Sequence, residues 1–348
     1  MDRRLLVKLT ITIGIATAGG ALATLAGLPA SWLSGSMAAV TVITIAGFDS
    51  QLPVRVIDVA FLLLGTALGA GVTPELLANA AAWPVSLAIL AVTVIVGIAA
   101  VRAFLVRIAG WDRETAFFAS IPGALSYVLA IASETNADMR KVATAQSIRV
   151  FLLVAALPGL LVALEGGGDM TAAASVASPI EIAIMLLAAL VSAVVARRLR
   201  LPAAFMFGGF FSSAVLQGTG LVVGRLPELV VTVSFIFLGA LIGSRFVGTT
   251  LRFLRQVLLA SVGAFLVVSA IAFTAALLVA AITGVSIDQA IVAFAPGGLE
   301  AMLSLALALD LDSTFVAAHQ FARFAGLALL LPFVTHWAIG RGSAEDQR

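Results

Sequence analysis

Residues 111–158, WDRETAFFASIPGALSYVLAIASETNADMRKVATAQSIRVFLLVAALP, and residues 285–332, VSIDQAIVAFAPGGLEAMLSLALALDLDSTFVAAHQFARFAGLALLLP, lie on one another without a gap at an offset of 174. Fifteen of the 48 positions are identical, among them Pro122/Pro296, Gly123/Gly297, Leu125/Leu299, Asp138/Asp312, Gln146/Gln320, Arg149/Arg323 and Pro158/Pro332. Shared apolar composition gives scattered Ala and Leu matches but not paired Pro-Gly and Gln-x-x-Arg positions, so the chain is an internal duplication. Outside this stretch the likeness thins. Gly65 and Gly69 fall on Gly239 and Gly243, and Leu28-Pro29-Ala30 resembles Leu201-Pro202-Ala203 one residue off.

Of the 348 residues 61% are hydrophobic and 11% charged, and the mean hydropathy is +1.15. A soluble domain carries roughly 25% charged residues, so the composition reads as an integral membrane protein. A net charge of +2 leaves no basic face for a nucleic-acid backbone. There is no cysteine, and His319 and His336 are the two histidines, which excludes disulfides, iron–sulfur clusters and Cys-based zinc sites. The start, Met1-Asp-Arg-Arg-Leu-Leu-Val-Lys8, runs into an apolar stretch too long for a cleaved signal and is expected to remain as a signal-anchor helix.

At about 20 apolar residues per span, the spans read 5–27, 29–47, 54–72, 85–106, 112–138 with a break, and 139–164. A Gly-rich connector follows, and then 179–197, 201–224, 228–245, 257–282, 285–311 with a break, and 313–339. The organisation expected is a first repeat over 1–164, a connector over 165–178, a second repeat over 179–340 and a tail over 341–348. Basic residues fix the orientation. If all twelve segments cross, 10 basic residues fall inside and 8 outside. If 112–138 and 285–311 enter and leave on the same side, 17 fall inside, Arg225 alone falls outside, and Arg149 and Arg323 stay in the membrane. The second arrangement is the expected one. It is an all-α polytopic protein of ten transmembrane helices and two re-entrant hairpins in two inverted-topology repeats, with both termini cytoplasmic.

Pro122-Gly123 and Pro296-Gly297-Gly298 sit inside otherwise helical runs and must break the helix there. Ten residues from Asp112 to Pro122 rise ~15 Å, half of a ~30 Å hydrocarbon core. Each tip is therefore expected near the midplane, where broken backbone needs burial in protein or a watery cavity. Arg149 and Arg323 lie eleven residues beyond Asp138 and Asp312, at the same depth, and each shares a helix face with Gln146 or Gln320. One pocket follows, lined by Pro122, Gly123, Ser126, Gln146 and Arg149 from one half and by Pro296, Gly297, Gly298, Gln320 and Arg323 from the other.

These residues also have plainer readings. Asp138 and Asp312 suit helix N-caps as well as ion ligands. Arg149 and Arg323 suit free carbonyls at the break as well as a substrate. Glu300, matched by Ser126, is the carboxylate expected near the midplane, either paired with Arg323 or carrying a coupling cation. His319, matched by Ala145, is either a proton relay or a satisfied buried polar group. Trp32, Trp83, Trp111 and Trp337 fall near the predicted membrane faces, as aromatic belts do.

The string Leu28-Pro-Ala-Ser-Trp-Leu-Ser-Gly-Ser-Met37, the blocks Pro122-Gly-Ala-Leu-Ser126 and Pro296-Gly-Gly-Leu-Glu300 and the duplicated Gln-x-x-Arg resemble the AbrB family of duplicated bacterial membrane proteins, some labelled ammonia monooxygenase. The resemblance covers nearly the whole chain. It implies a bacterial inner-membrane protein tied by name to regulation of gene expression, with a looser kinship to cation/proton antiporters and anion transporters, and it carries over no ligand residues. A monooxygenase requires a metal or flavin, for which two histidines on one helix give no copper or iron site. A DNA-binding regulator requires a soluble basic module, for which the tail from Arg341 to Arg348 is too short.

The function expected is secondary transport of a small anionic, carboxylate-bearing solute coupled to H⁺ or Na⁺, because inverted repeats with broken elements at the midplane are what alternating access uses. The coupling-ion candidates are Glu300, His319, Asp138 and Asp312. The alternative is a membrane sensor or regulator acting indirectly on gene expression, without transport. No enzyme activity, metal or organic cofactor is expected. The partners are the anionic solute, the coupling cation and the lipid bilayer, without direct nucleic acid, and a homodimer is left open.

Overall fold

The computed structural model describes residues 3–50, 52–70, 83–123, 125–165, 175–199, 201 and 203–340; side chains are described within these except at the two ends, at Ser126, at Glu165 and from residue 332 onward. Fourteen helices occur among the described residues. They are α1 (Arg3–Leu25), α2 (Ser31–Ile45), α3 (Val54–Gly69), α4 (Trp83–Arg107), α5 (Arg113–Ser120), α6 (Leu125–Ala132), α7 (Met139–Glu165), α8 (Pro179–Arg198), α9 (Ala204–Gly218), α10 (Glu228–Ser244), α11 (Leu251–Thr283), α12 (Ile287–Phe294), α13 (Leu299–Ala308) and α14 (Ser313–Gly340). Among these residues six helices, α1, α4, α7, α8, α11 and α14, are long and apolar enough to cross a membrane, which makes this a multi-pass membrane protein.

The remaining helices differ from the spans expected of them. α2, α3, α9 and α10 have 15, 16, 15 and 17 residues, and at ~1.5 Å per residue 15 residues rise ~22 Å. α9 stops at Gly218 rather than near 224 because Gly220 (φ 72°) and Gly224 (φ 120°) turn the chain. α11 begins six residues earlier than its apolar run, because the Thr250 hydroxyl caps it by accepting from the Phe253 N–H and so carries Arg252 and Arg255 into the first turns. Trp111 is buried rather than belted at a surface, with Lys141 over its ring. Trp83 packs edge-on against Phe315.

The helices sort into two bundles. α1, α2, α3, α8, α9 and α10 pack together, with α2 against α10 and α9 against α3, so that the second helix of each series lies on the third helix of the other. Glycines permit this crossing. A Cβ on Gly65 would collide with the backbone of Met206, and one on Gly239 with the backbone of Leu33. Gly69 meets Phe210 and Ser213 as Gly243 meets Met37 and Val40. Just before α2 and α9 the chain makes the same uncommon turn, with Ala30 (φ 48°) and Ala203 (φ 45°) left-handed.

The second bundle holds α4–α7 and α11–α14, with α4 against α11, α7 against α11 and α14 against α4. The largest buried apolar cluster runs through both bundles, from Leu33, Leu64 and Met206 to Phe294, Met302 and Phe315. Its continuity joins them mainly through apolar side chains, with the Ser313 hydroxyl donating to Leu68 O as one polar contact across the seam.

Candidate functional site

The breaks predicted at the two Pro-Gly blocks occur. α5 ends at Ser120 and α6 begins at Leu125, and α12 ends at Phe294 and α13 begins at Leu299. A helix end leaves its last four carbonyls without intrahelical partners, and inside a membrane-like core each must be met by protein. Side chains of α7 and α14 meet them. Gln146 Nε2 donates to Phe118 O (3.1 Å) and Arg149 Nη2 to Ile121 O (2.8 Å). In the second series Gln320 Nε2 donates to Val292 O (3.0 Å) and Ala293 O (3.1 Å), while Arg323 donates to Ala295 O (2.6 Å) and Gly297 O (2.7 Å). Phe118 and Ile121 are the 174-offset counterparts of Val292 and Ala295, so the same pair of side chains closes the same pair of carbonyls twice.

The two breaks touch. Gly123, at φ 78°, lies so close that a Cβ on it would stand 3.3 Å from Gly297 O and 4.0 Å from Arg323 Nη2. Gly is required there both for its left-handed backbone and for that approach. Pro122, Pro296, Ser120, Phe294 and Arg323 border a cavity of about 20 Å³ against α4 and α11, room for one water molecule. The outer ends of the first break are also tied. Glu114 accepts from Asn136 N–H (2.8 Å) and Thr115 Oγ1 from Asp138 N–H (2.8 Å), so the start of α5 and the start of α7 are neighbours.

The two arginines are not equivalent. Both are buried. Arg323 makes three hydrogen bonds among the described residues, adding Gln320 Oε1 (2.5 Å) to the two carbonyls. Among the described residues Arg149 makes one hydrogen bond, and its Nε is buried without a partner. Arg149 holds Ile121 O, two residues before the Gly123 that lies against Arg323 Nη2, so both guanidiniums serve the same contact between the breaks. Among the described residues neither takes part in an ion pair; those pairs are Lys8–Asp49, Lys141–Asp138, Arg197–Asp58, Arg225–Asp310 and Arg245–Glu300. The N-termini of α6 and α13, each carrying a partial positive charge of ~0.5, start at the same breaks.

The expected pairing of Glu300 with Arg323 is not what forms. Glu300 Oε1 takes Arg245 Nη2 at 2.5 Å, because Arg323 is turned to the carbonyls of the break and Arg245, at the C-cap of α10, reaches the first turn of α13. Asp138 and Asp312 act as helix caps. Asp138 Oδ1 accepts from Lys141 N–H (3.0 Å), and Asp312 Oδ1 accepts from Thr314 N–H (2.9 Å) and Phe315 N–H (3.3 Å). His319 is fully buried, with Nδ1 2.8 Å from Phe315 O and Nε2 2.8 Å from Ser86 Oγ. A carbonyl only accepts, so Nδ1 carries hydrogen and His319 ties α14 to α4. Ser126 is the second residue of α6, and its side chain lies outside the described residues, as do those of His336 and Trp337 and all of Asp169.

Two residues at this site were not singled out by sequence. Arg245 reads as a loop cation and Ser86 as one more small residue of a span. One signal pointed to Arg245: at the 174 offset Glu300 replaces Ser126 and Arg245 replaces Gly71, a double departure at positions that touch.

Residues 32–339 match the family described as "Transition state regulatory protein AbrB". The chain belongs to the AbrB family. It is similar to the protein named "Putative regulator AbrB" of Escherichia coli (strain K12), 29% identical over 321 residues that cover 89% of this chain and 90% of that one. It is also similar to "Uncharacterized protein YhjN" of Bacillus subtilis (strain 168), 27% identical over 363 aligned positions, covering 97% and 94%. The matched range runs through both helix breaks, at 121–124 and 295–298.

Proposed function

We propose that this AbrB-family protein is a secondary transporter of a small anionic, carboxylate-bearing solute, coupled to H⁺ or Na⁺, in the inner membrane of a bacterium. The observation that carries the reading is the pair of buried guanidiniums at two touching helix breaks, with carbonyls and no carboxylate as partners among the described residues. Two charges desolvated together stay charged only if compensated. The half-helix C-termini supply about half a charge each, and the N-termini of α6 and α13 add the opposite sign. The balance is positive, and a planar carboxylate is its natural complement.

On this reading the segments over 112–138 and 285–311 are re-entrant hairpins, and ten helices cross in two inverted repeats. The bonded ends of the first hairpin and the exchange of second and third helices between the series support it, as does the 17-to-1 distribution of basic residues. The 20 Å³ cavity corresponds to an occluded state, and movement of the hairpin bundle against the six-helix bundle along their apolar contact would open it to one side. Regulation, the word in the family's description and in one relative's name, would then follow from moving a signalling metabolite.

Reconstitution tests this. Proteoliposomes exposed to a panel of mono- and dicarboxylates on a solid-supported membrane should give a current or uptake for at least one of them, lost in Arg149→Gln. Absence of flux for every carboxylate, together with flux of a cation, would overturn it.

A further inference from the structure

Among the described residues two ion pairs cross between the bundles, and they join the two ends of the same two helices. At one end of α10 the Arg245 guanidinium reaches Glu300 in the first turn of α13. At the other end Arg225, two residues before the Pro227 cap, reaches Asp310 just past the end of α13 at 3.1 Å. Lys8–Asp49, Lys141–Asp138 and Arg197–Asp58 each stay within one bundle. α13 is therefore gripped at both ends by one helix of the opposite bundle. The grip is firmly based. Arg225 exchanges two backbone hydrogen bonds with the segment before α8, to Ser175 O and from Ala177 N–H, both 3.0 Å, and Gln217 Nε2 holds the neighbouring Gly224 O at 2.6 Å.

The other half of the chain has no such grip in its sequence. At the 174 offset Arg225, Arg245, Glu300 and Asp310 become Gln51, Gly71, Ser126 and Asn136, four uncharged residues. Around them the register is secure, with Pro53/Pro227, Gly65/Gly239, Gly69/Gly243 and Pro122/Pro296 all matched. Drift would scatter such departures, whereas these four coincide in two contacting pairs. In a molecule with two like halves, exchanging the roles of the halves gives a second arrangement with similar packing. Charge pairs present in only one half make the two arrangements unequal.

We propose that Arg245–Glu300 and Arg225–Asp310 form a latch that clamps α13 to α10 and biases the protein toward the arrangement seen here, with no counterpart in the other half. The latch rests on the transporter reading in that it needs the bundles to move. The two pairs are of unequal weight. Arg245 and Glu300 have side chains 17% and 19% exposed, so water and salt screen them little, while Arg225 and Asp310 are 46% and 42% exposed and contribute less.

The test reads conformation without a solute. The chain has no cysteine, and Ser304 is fully buried in α13 with its hydroxyl on Glu300 O, so Ser304→Cys places the only thiol there with little change of shape. In purified full-length protein, Glu300→Gln should speed maleimide labelling at position 304 about tenfold, equivalent to ~1.4 kcal/mol. Asp310→Asn should speed it about two- to threefold, as a weaker exposed pair would. The exchanged pair R245E/E300R should return the rate to within about twofold of the starting protein, and with Asp310→Asn it keeps the test decisive if Glu300→Gln does not fold. An unchanged rate in a folded E300Q/D310N protein, or an exchanged pair as fast as Glu300→Gln, overturns the latch. A labelling response without transport of any solute would leave the latch and remove the transporter, and intact transport with no labelling response would do the reverse.

Discussion

Arg149 and Arg323 occupy matched positions, so replacing each by Lys separates holding the break from serving a solute. Lysine keeps the charge but offers three donors from one point in place of a planar fork. Arg323 makes three hydrogen bonds, to Ala295 O, Gly297 O and Gln320 Oε1, from two nitrogens aimed in different directions. A lysine ammonium reaches one or two of these and leaves at least one buried carbonyl unmet. At ~1–3 kcal/mol for each buried group left unsatisfied, Arg323→Lys should cost about 2–4 kcal/mol. Arg149 makes one hydrogen bond, to Ile121 O, and already has a buried Nε without a partner. Lysine can keep that bond and removes the orphan nitrogen, so Arg149→Lys should cost less than ~1 kcal/mol by the same reckoning. Thermal unfolding of the two variants in detergent, followed by the monodisperse fraction, measures the difference. Flux then completes the assay: Arg149→Lys should remain folded yet transport poorly. Equal destabilisation of the two variants, or a folded Arg149→Lys with full transport, would refute the division of labour.

The glycine contacts predict a second asymmetry. Gly65→Ala and Gly239→Ala, each driving a methyl into a facing helix backbone, should each destabilise by ~1–3 kcal/mol in thermal unfolding. Gly14→Ala, with open space around it, should instead be neutral or gain up to ~1 kcal/mol of helix propensity. For topology, single cysteines at Arg107 and Arg140 should both label with an impermeant maleimide from the cytoplasm, and one at Asp169 from outside. Labelling of 107 and 140 from opposite sides would remove the hairpin.

The breaks, the facing of each Gln-x-x-Arg pair to its break and the order of the elements were legible because each has a local cause. Pro and Gly stop helices wherever they fall, and a Gln-x-x-Arg repeated at a fixed distance from a repeated Pro-Gly must face it. The arginine-to-carbonyl spacing of 28 residues recurs in both series, Arg149 to Ile121 and Arg323 to Ala295. Helix lengths were less legible. A run of apolar residues says where a chain is oily and not where it turns, so Gly220 and Gly224 beyond α9 looked like more helix, and Arg252 and Arg255 in α11 looked like loop. Partners far apart in sequence were not legible at all, as with Ser86 and His319, 233 residues apart.

The contact that Arg245 makes lies beyond what a count of basic residues can read. Counting basic residues assigns each arginine to a side, and in doing so treats the side chain as a point at its own Cα. Arginine is long, and its aliphatic stem lies along apolar surface while the guanidinium travels. Arg245 sits at the C-cap of α10, yet its guanidinium reaches the first turn of α13 beside a helix break. The duplication supplies the correction that charge counting lacks. Positions matched in both halves, Pro122/Pro296, Gly123/Gly297, Gln146/Gln320 and Arg149/Arg323, all serve backbone geometry common to the two breaks. Positions that differ together and touch, Gly71/Arg245 with Ser126/Glu300, serve something only one half does. In a duplicated membrane protein the matched residues therefore mark how the site is built, and the coupled mismatches mark which way it is set.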